Sequence, residues 1–107
     1  MNSENSKAQM RKGILEYCVL SIIARGEVYP SDILSELKDA KLIVVEGTLY
    51  PLLTRVKNAG LVNYKWVESN SGPPRKYYQL TPEGKKFLDE LTKAWEEIVA
   101  SVEILKK

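Results

Sequence analysis

The sequence predicts a mainly α-helical protein with a small β-hairpin, arranged as a winged helix-turn-helix and extended by an additional C-terminal helix. Three amphipathic segments precede residue 60, two short alternating segments flank a turn-forming stretch at residues 69–74, and a long apolar repeat follows Pro82. The chain has 107 residues, which is enough for one core and one appended element.

Composition excludes several classes of protein. The chain has no histidine and a single cysteine, Cys18, so it lacks the commonest general base and the usual metal ligand. We therefore expect neither an enzyme nor a site for a metal or cofactor. The first six residues are polar, and the longest apolar stretch, residues 14–24, is shorter than the roughly 20 residues of a membrane helix. We expect a cytoplasmic protein with no membrane segment.

Positive charge is concentrated in the middle of the chain. The net charge of the whole sequence is only +2, which is too small by itself to indicate a nucleic-acid partner. Residues 55–76 carry five cations and one acid, a net charge of +4, whereas residues 81–107 carry five cations and six acids, a net charge of −1. The middle of the chain is therefore the part that we expect to face a polyanion.

The first helix is predicted over residues 10–25 and is apolar around most of its circumference. Its main apolar face carries Ile14, Leu15, Cys18, Val19, Ile22 and Ile23, and Tyr17 and Leu20 widen it. A short helix of this kind needs cover from two sides, which favours a dimer.

The second and third helices follow from start signals and apolar spacing. Pro30 is suited to the first helical position, and Asp32 favours a helix start. The third helix is predicted to begin near Glu46 or Thr48. With Thr48 as the N-cap, Pro51 would lie in the first turn, where a proline does no harm.

A hairpin is predicted next. Residues 61–67 alternate as a half-buried strand, residues 69–74 read as a turn, and residues 76–80 form the returning strand. Thr81 and Pro82 then predict a helix start. We accordingly divide the chain into a winged helix-turn-helix domain at residues 1–81 and a C-terminal dimerisation helix at residues 82–107.

The last helix carries a heptad repeat of apolar residues. Their spacing alternates between three and four, which is typical of a seam between helices: Leu88, Leu91, Trp95, Ile98, Val102 and Leu105. Fewer than three full heptads leave two interpretations open, a dimer seam and packing within the same chain. The apolar first helix favours the dimer.

The polar side of the third helix and the second strand supply candidate DNA-binding residues. In helix-turn-helix proteins the recognition helix lies in the major groove, where its polar side chains reach base edges and phosphates. The candidates are Gly47, Thr48, Tyr50, Thr54, Arg55 and Lys57 on the helix, with Arg75 and Lys76 on the wing. From charge alone, a solvated hairpin surface is an equal alternative.

Two sequence motifs favour DNA binding over a solvated hairpin surface. The sequences VEGTLYPLL at residues 45–53, with GLV at residues 60–62, and GPPRKYYQLTPEG at residues 72–84 closely resemble the PadR family of transcriptional regulators, in its short subfamily. The resemblance implies a homodimeric winged-helix repressor that binds a palindromic double-stranded DNA operator. By motif, it assigns DNA contacts to Gly47, Thr48, Tyr50, Arg55, Arg75 and Lys76.

The resemblance also draws attention to Trp95. In drug-responsive short relatives, a tryptophan at the matching place stacks flat aromatic compounds, which makes Trp95 and Tyr17 candidate residues for a small aromatic effector. The other interpretation of Trp95 is an anchor in the dimer interface. The alternative to DNA binding as a whole is a winged-helix module that docks another protein.

Overall fold

A computed structural model describes all of residues 1–107 and contains four helices and one antiparallel hairpin. The elements in chain order are α1 (Ser3–Ala24), α2 (Pro30–Asp39), α3 (Glu46–Asn58), β1 (Val62–Ser69), β2 (Gly72–Leu80) and α4 (Pro82–Leu105). The predicted fold class, mainly helical with a small β-hairpin, is confirmed. No helix is both long and apolar enough to cross a membrane.

α1 begins seven residues before the predicted start. The Asn2 side chain accepts a hydrogen bond of 2.8 Å from the N–H of Glu4 and so caps the first turn at Ser3. Residues 3–13 are all exposed and mostly polar, so no apolar period marks them as helical. The second half of α1 supplies the buried residues Leu15, Val19, Leu20, Ile22 and Ile23.

α2 begins at Pro30, as predicted. The preceding residue, Tyr29, is fixed from two directions. Its N–H donates to the Asp32 carboxylate at 3.0 Å, and its carbonyl accepts from the N–H of Asp32 at 3.0 Å. One residue earlier, Val28 pairs with Tyr78 of β2 through hydrogen bonds of 3.1 and 2.8 Å. The start of α2 is thereby joined to the hairpin.

α3 begins at Glu46, the earlier of the two predicted starts, with Val45 at the N-cap position. The prediction of Thr48 as the N-cap is therefore wrong, because Thr48 is the third residue of the helix. Pro51 lies inside α3, where it has no N–H to donate to the carbonyl of Gly47. The four buried side chains Leu49, Leu52, Leu53 and Val56 hold the helix in place despite this missing bond.

The hairpin is longer than predicted and its turn is tighter. Ser69 pairs with Gly72, so the turn consists of residues 70–71 alone. The prediction of a turn over residues 69–74 is wrong at both ends, because Ser69 belongs to β1 and residues 72–74 belong to β2. β2 tolerates Pro73 and Pro74 because the strand register is irregular near the tip of the hairpin. A proline there, which has no N–H, removes no regular hydrogen bond between the strands.

α4 is docked tightly on the turn between α3 and β1. The Thr81 hydroxyl donates to the carbonyl of Gly60 at 2.7 Å and accepts from the N–H of Gly84 at 2.9 Å. A β-carbon on Gly84 would overlap the carbonyl oxygen of Leu61. This close approach allows Phe87, Leu88 and Leu91 to pack against the core of the protein.

Candidate nucleic-acid interface

The outer side of α3 is open to solvent. Leu49, Leu52, Leu53 and Val56 face the core, whereas the six predicted helix candidates are all exposed: Gly47, Thr48, Tyr50, Thr54, Arg55 and Lys57. α3 is closed by Gly60, which has a φ of 80°, and the N–H of Leu61 donates to the carbonyl of Val56 at 3.0 Å. The helix thus presents a polar surface of about three turns.

The cationic side chains at the end of α3 diverge. The guanidinium of Arg55 points toward α1, where it lies 3.6 Å from the carboxylate of Glu16. The ammonium of Lys57 points toward the hairpin and lies 5.7 Å from the centre of the Tyr64 ring. Thr48 and Thr54 make no side-chain hydrogen bond, which leaves their hydroxyls free for a partner.

The α3–wing cleft is a polar depression of about 350 Å³ between the start of α2, α3 and the hairpin. Its lining residues are Pro30, Ser31, Tyr50, Trp66, Pro74, Arg75 and Lys76. Three of the predicted DNA-binding residues, Tyr50, Arg75 and Lys76, are brought together here, although 25 positions separate Tyr50 from Arg75 in the chain. Thr48, Thr54 and Arg55 do not line it.

The side chain of Lys76 is half-buried, because its ammonium lies against two aromatic rings. It is 4.5 Å from the centre of the Tyr64 ring and 5.4 Å from that of Trp66. Such contacts restrict a flexible lysine without neutralising its charge. Trp66 is itself 61% exposed. The alternating burial predicted for β1 therefore holds for Val62 and Tyr64 but not for Trp66.

The side chain of Arg75 leaves β2 on the face opposite that of Lys76 and is held beside the start of α2, where it also lines the α3–wing cleft. Its guanidinium lies 3.7 Å from the centre of the Tyr29 ring, and its Nη2 donates to the Ser31 hydroxyl at 2.7 Å. On the same side, Lys65 forms an ion pair of 2.8 Å with Glu27, and this carboxylate raises the pKa of the Lys65 ammonium. Lys65 belongs to the cationic segment in the sequence, yet its charge is balanced locally.

Comparison with known proteins identifies the group to which this arrangement belongs. The model of the PadR-like family of transcriptional regulators matches residues 19–90, which include α2, α3, the hairpin and the first part of α4. The chain belongs to the PadR-like family. The resemblance predicted from the two motifs is thereby confirmed.

Solved structures show the same relationship. A PadR-like transcription factor from Bacteroides fragilis is 56% identical, with 94% of this chain and 98% of that chain covered and a TM-score of 0.80. A PadR family regulator from Eggerthella lenta is 31% identical, with 98% and 92% covered and a TM-score of 0.91. Bacillus subtilis PadR, solved in complex with operator DNA, is 24% identical over 74% of this chain and 46% of its own, with a TM-score of 0.69, and shares the fold.

A second feature of this PadR-like chain is an apolar groove of about 360 Å³ between α1 and α4. It is lined by Met10, Ile14, Trp95, Ile98, Val99, Val102 and Glu103. Trp95 lies against Tyr17 with a centroid distance of 6.4 Å, and the Tyr17 hydroxyl donates to Thr92 at 3.1 Å. The two predicted effector residues, Tyr17 and Trp95, therefore lie side by side, and of the two only Trp95 lines the groove.

The predicted seam of α4 divides in the middle. Leu88 and Leu91 pack against the core of their own chain. The other four residues are exposed to solvent, by 38% at Trp95, 54% at Ile98, 46% at Val102 and 81% at Leu105. The first half of the heptad repeat thus packs within the PadR-like chain, whereas the apolar side chains of its second half are exposed, and the dimer seam stays a prediction.

Sequence reasoning missed three residues of the α3–wing cleft region: Tyr29, Ser31 and Trp66. None of the three is among the predicted DNA-binding residues, and Trp66 falls in the segment 61–67 that is predicted to be a half-buried strand. No sequence spacing relates Tyr29 to Arg75, because their contact depends on the pairing of Val28 with Tyr78. The exposed tryptophan at the tip-proximal end of an alternating strand is the one signal that could have been used.

Proposed function

We propose that this PadR-like protein is a cytoplasmic, dimeric transcriptional repressor that binds a palindromic double-stranded DNA operator. The observation that carries the proposal is the convergence of Tyr50 from α3 with Arg75 and Lys76 from the wing on one cleft. A recognition helix and a wing that share a cationic cleft can contact a groove and its adjoining phosphates together.

The distribution of paired and unpaired cations supports DNA as the partner. None of the five ion pairs in the protein involves Lys57, Arg75 or Lys76. Cations that lack an acidic partner are available to neutralise phosphates and release their counterions. The relative from Bacillus subtilis with the same fold is seen with operator DNA, which agrees with this assignment.

The exposed half of α4 supports the dimer. Trp95, Ile98, Val102 and Leu105 form one apolar stripe, and the apolar groove extends it to Met10 and Ile14 of α1. A second copy of the chain related by a twofold axis would cover both surfaces, because an isologous interface presents the same patch twice. Two recognition helices related in this way require an operator with matching symmetry.

Salt dependence of DNA affinity tests the proposal. Binding of the purified protein to labelled duplexes should weaken steeply as salt increases, and selection from genomic fragments should recover a palindrome. Thr48→Ala and Thr54→Ala should each reduce discrimination between the recovered palindrome and random DNA, by about 1–3 kcal/mol for each base contact that the substitution removes. A protein-docking module would show little affinity for any duplex at low salt, and this result would reject the proposal.

A reporter gene placed behind the recovered palindrome tests repression. Expression of the protein should lower the output of the reporter, and the double variant Arg75→Ala, Lys76→Ala should restore it. An increase of the output by the wild-type protein would instead identify an activator.

A second candidate property is the binding of a small aromatic effector at Trp95 and Tyr17. Trp95 lines the apolar groove, and its ring lies 6.4 Å from that of Tyr17 at a tilt of 37°, so the pair offers an aromatic surface against which a planar molecule can pack. In Trp66→Phe protein, Trp95 is the remaining tryptophan, so a planar dye should quench its fluorescence saturably. Trp95→Leu keeps the apolar surface and should abolish the binding. Unchanged fluorescence across a dye panel would leave Trp95 as an interface anchor.

A further inference from the structure

We propose that Tyr29 and Ser31 are positioning residues, which hold the guanidinium of Arg75 at the α3–wing cleft so that the wing presents it to a DNA phosphate already ordered. This inference rests on the proposed DNA binding. It assigns a role to Tyr29, the N-cap residue of α2, and to Ser31 in the first turn of α2, both of which lie outside the two sequence motifs.

The Tyr29 ring is a fixed platform. Its backbone is held by Asp32 and by the adjacent pairing of Val28 with Tyr78, and its ring packs on Tyr77 with a centroid distance of 4.5 Å. Tyr77 and Arg75 are two positions apart on β2 and therefore lie on the same side of the hairpin. The ring of Tyr29 thus contacts both of them.

The side chain of Arg75 is restrained, but most of its N–H donors remain available to a ligand. Its guanidinium stacks on Tyr29 at 3.7 Å and gives one hydrogen bond, of 2.7 Å, to the uncharged hydroxyl of Ser31. No acid pairs with it. A guanidinium has five N–H donors, so most remain available, and its planar fork suits a phosphate. Arg75 is also exposed and lines the cleft.

Restraint before binding affects affinity in a predictable way. A free arginine loses rotamer freedom when it meets a phosphate, and this loss weakens the complex. An arginine that is already stacked and hydrogen-bonded has given up that freedom during folding. Removal of the platform should therefore weaken DNA binding although the positive charge stays.

A double-mutant cycle on Tyr29 and Arg75 tests the proposal, with a fluorescein-labelled duplex of mixed sequence as the probe, because phosphate contacts do not depend on sequence. Tyr29→Leu should weaken binding by roughly 3- to 10-fold, the effect of ordering one long side chain. Tyr29→Phe keeps the ring and should bind as the wild type does. In the Arg75→Ala background, Tyr29→Leu should cause no further decrease in affinity.

The salt dependence separates positioning from charge. Arg75→Ala should reduce the slope of log affinity against log salt by about one phosphate contact, whereas Tyr29→Leu should leave the slope unchanged. Arg75→Lys keeps the positive charge on an exposed side chain but removes the planar group that stacks on Tyr29, so it should decrease DNA affinity as much as Tyr29→Leu does. In the Arg75→Lys background, Tyr29→Leu should then cause no further decrease in affinity. This variant keeps the test valid even where Tyr29→Leu lowers the folding stability.

Each contrary result has a distinct meaning. Equal decreases in affinity from Tyr29→Leu in the wild-type and Arg75→Ala backgrounds would show that Tyr29 acts independently of Arg75, which overturns the inference. An unchanged salt slope in Arg75→Ala would make the contact purely structural and would also overturn it. Wild-type protein without salt-dependent DNA binding would reject the proposed function and this inference together.

Discussion

The guanidinium of Arg55 and the carboxylate of Glu16 lie 3.6 Å apart and connect α3, the proposed recognition helix, to α1. The Arg55 side chain is exposed and that of Glu16 is partly exposed, so solvent screens the pair and it contributes little to the free energy of unfolding, about 0–1 kcal/mol. The ion pair instead directs the Arg55 side chain toward α1. A carboxylate beside a predicted DNA-binding arginine competes with phosphate for the same donors.

We therefore predict that Glu16→Gln increases the affinity for DNA by a few fold, because it releases Arg55 and removes a negative charge near α3. Fluorescence anisotropy with a labelled duplex measures the change. Glu36→Gln is the matched control, since it breaks the pair with Arg25 and changes the net charge equally. The same increase in both variants would attribute the effect to net charge alone.

Ile98→Glu is expected to separate the proposed dimer. Ile98 is 54% exposed, so the substitution introduces a charge into the predicted seam without damaging the core of the chain. Light scattering should give the mass of a monomer, and affinity for a two-half-site duplex should decrease by about 100-fold or more as avidity is lost. Lys93→Glu places the same acid on an exposed position away from the seam and should leave the dimer intact. A monomeric wild-type protein at micromolar concentration would contradict the dimer itself.

Lys76→Ala should weaken binding to all duplexes alike and reduce the salt slope by about one contact. The reason is that a wing lysine without an acidic partner neutralises a phosphate rather than reading a base. Lys106→Ala, at the far end of α4, is the control for charge and should leave the slope unchanged. A selective decrease in affinity for the operator alone would show instead that Lys76 reads sequence.

Gly84→Ala should lower the free energy of unfolding by about 1–3 kcal/mol, because the added methyl group overlaps the Leu61 carbonyl and forces α4 away from the turn. Gly13→Ala is the matched control in α1, where nothing lies within 4 Å of the added carbon. It should raise stability by about 0.5–1 kcal/mol through helix propensity. Urea denaturation measures both, and equal effects would contradict the close packing at Gly84.

Burial raises the pKa of the Cys18 thiol above its usual range. Because the thiolate is the reactive form, iodoacetamide should modify the folded protein more slowly than the same chain in denaturant, as mass spectrometry can follow. The unfolded chain loses this proton at lower pH than the folded one, so the stability due to the neutral thiol decreases as pH rises through the unfolded thiol's range. Equal rates in the two states would place Cys18 outside the packed region.

The extent of sequence prediction differs between local and distant features. The starts of α2 and α4 were predicted correctly because Pro30, Thr81 and Pro82 act within a single turn of the chain. The early start of α1 could not be predicted from apolar spacing, since its first residues pack on nothing. The same limit explains Pro51: a proline breaks a helix only when no other packing supports it, and that support comes from distant elements.

The site was predicted in its components rather than in its arrangement. Charge and motif indicated Tyr50, Arg75 and Lys76, and the structure brings them to one cleft. The same reasoning grouped Arg55 with Lys57, although these side chains point to α1 and to the hairpin respectively. Spacing along a helix predicts on which face of the helix a residue lies. The residue that its side chain contacts depends on the other elements that pack beside that face.

The docking of Gly84 on Leu61 has a consequence for the register of the proposed complex on DNA. Because Gly84 lies in close contact with the Leu61 carbonyl, we expect a rotation of α4 to move the turn after α3 together with it. A helix of 24 residues is about 36 Å long, so a rotation of about 5° moves its far end by about 3 Å. This displacement is close to the spacing of about 3.4 Å between neighbouring base pairs. In the proposed dimer, a small change in how the two C-terminal helices cross would therefore shift one proposed recognition helix by nearly one base-pair step relative to the other, so that the two helices would no longer match the spacing of a fixed operator.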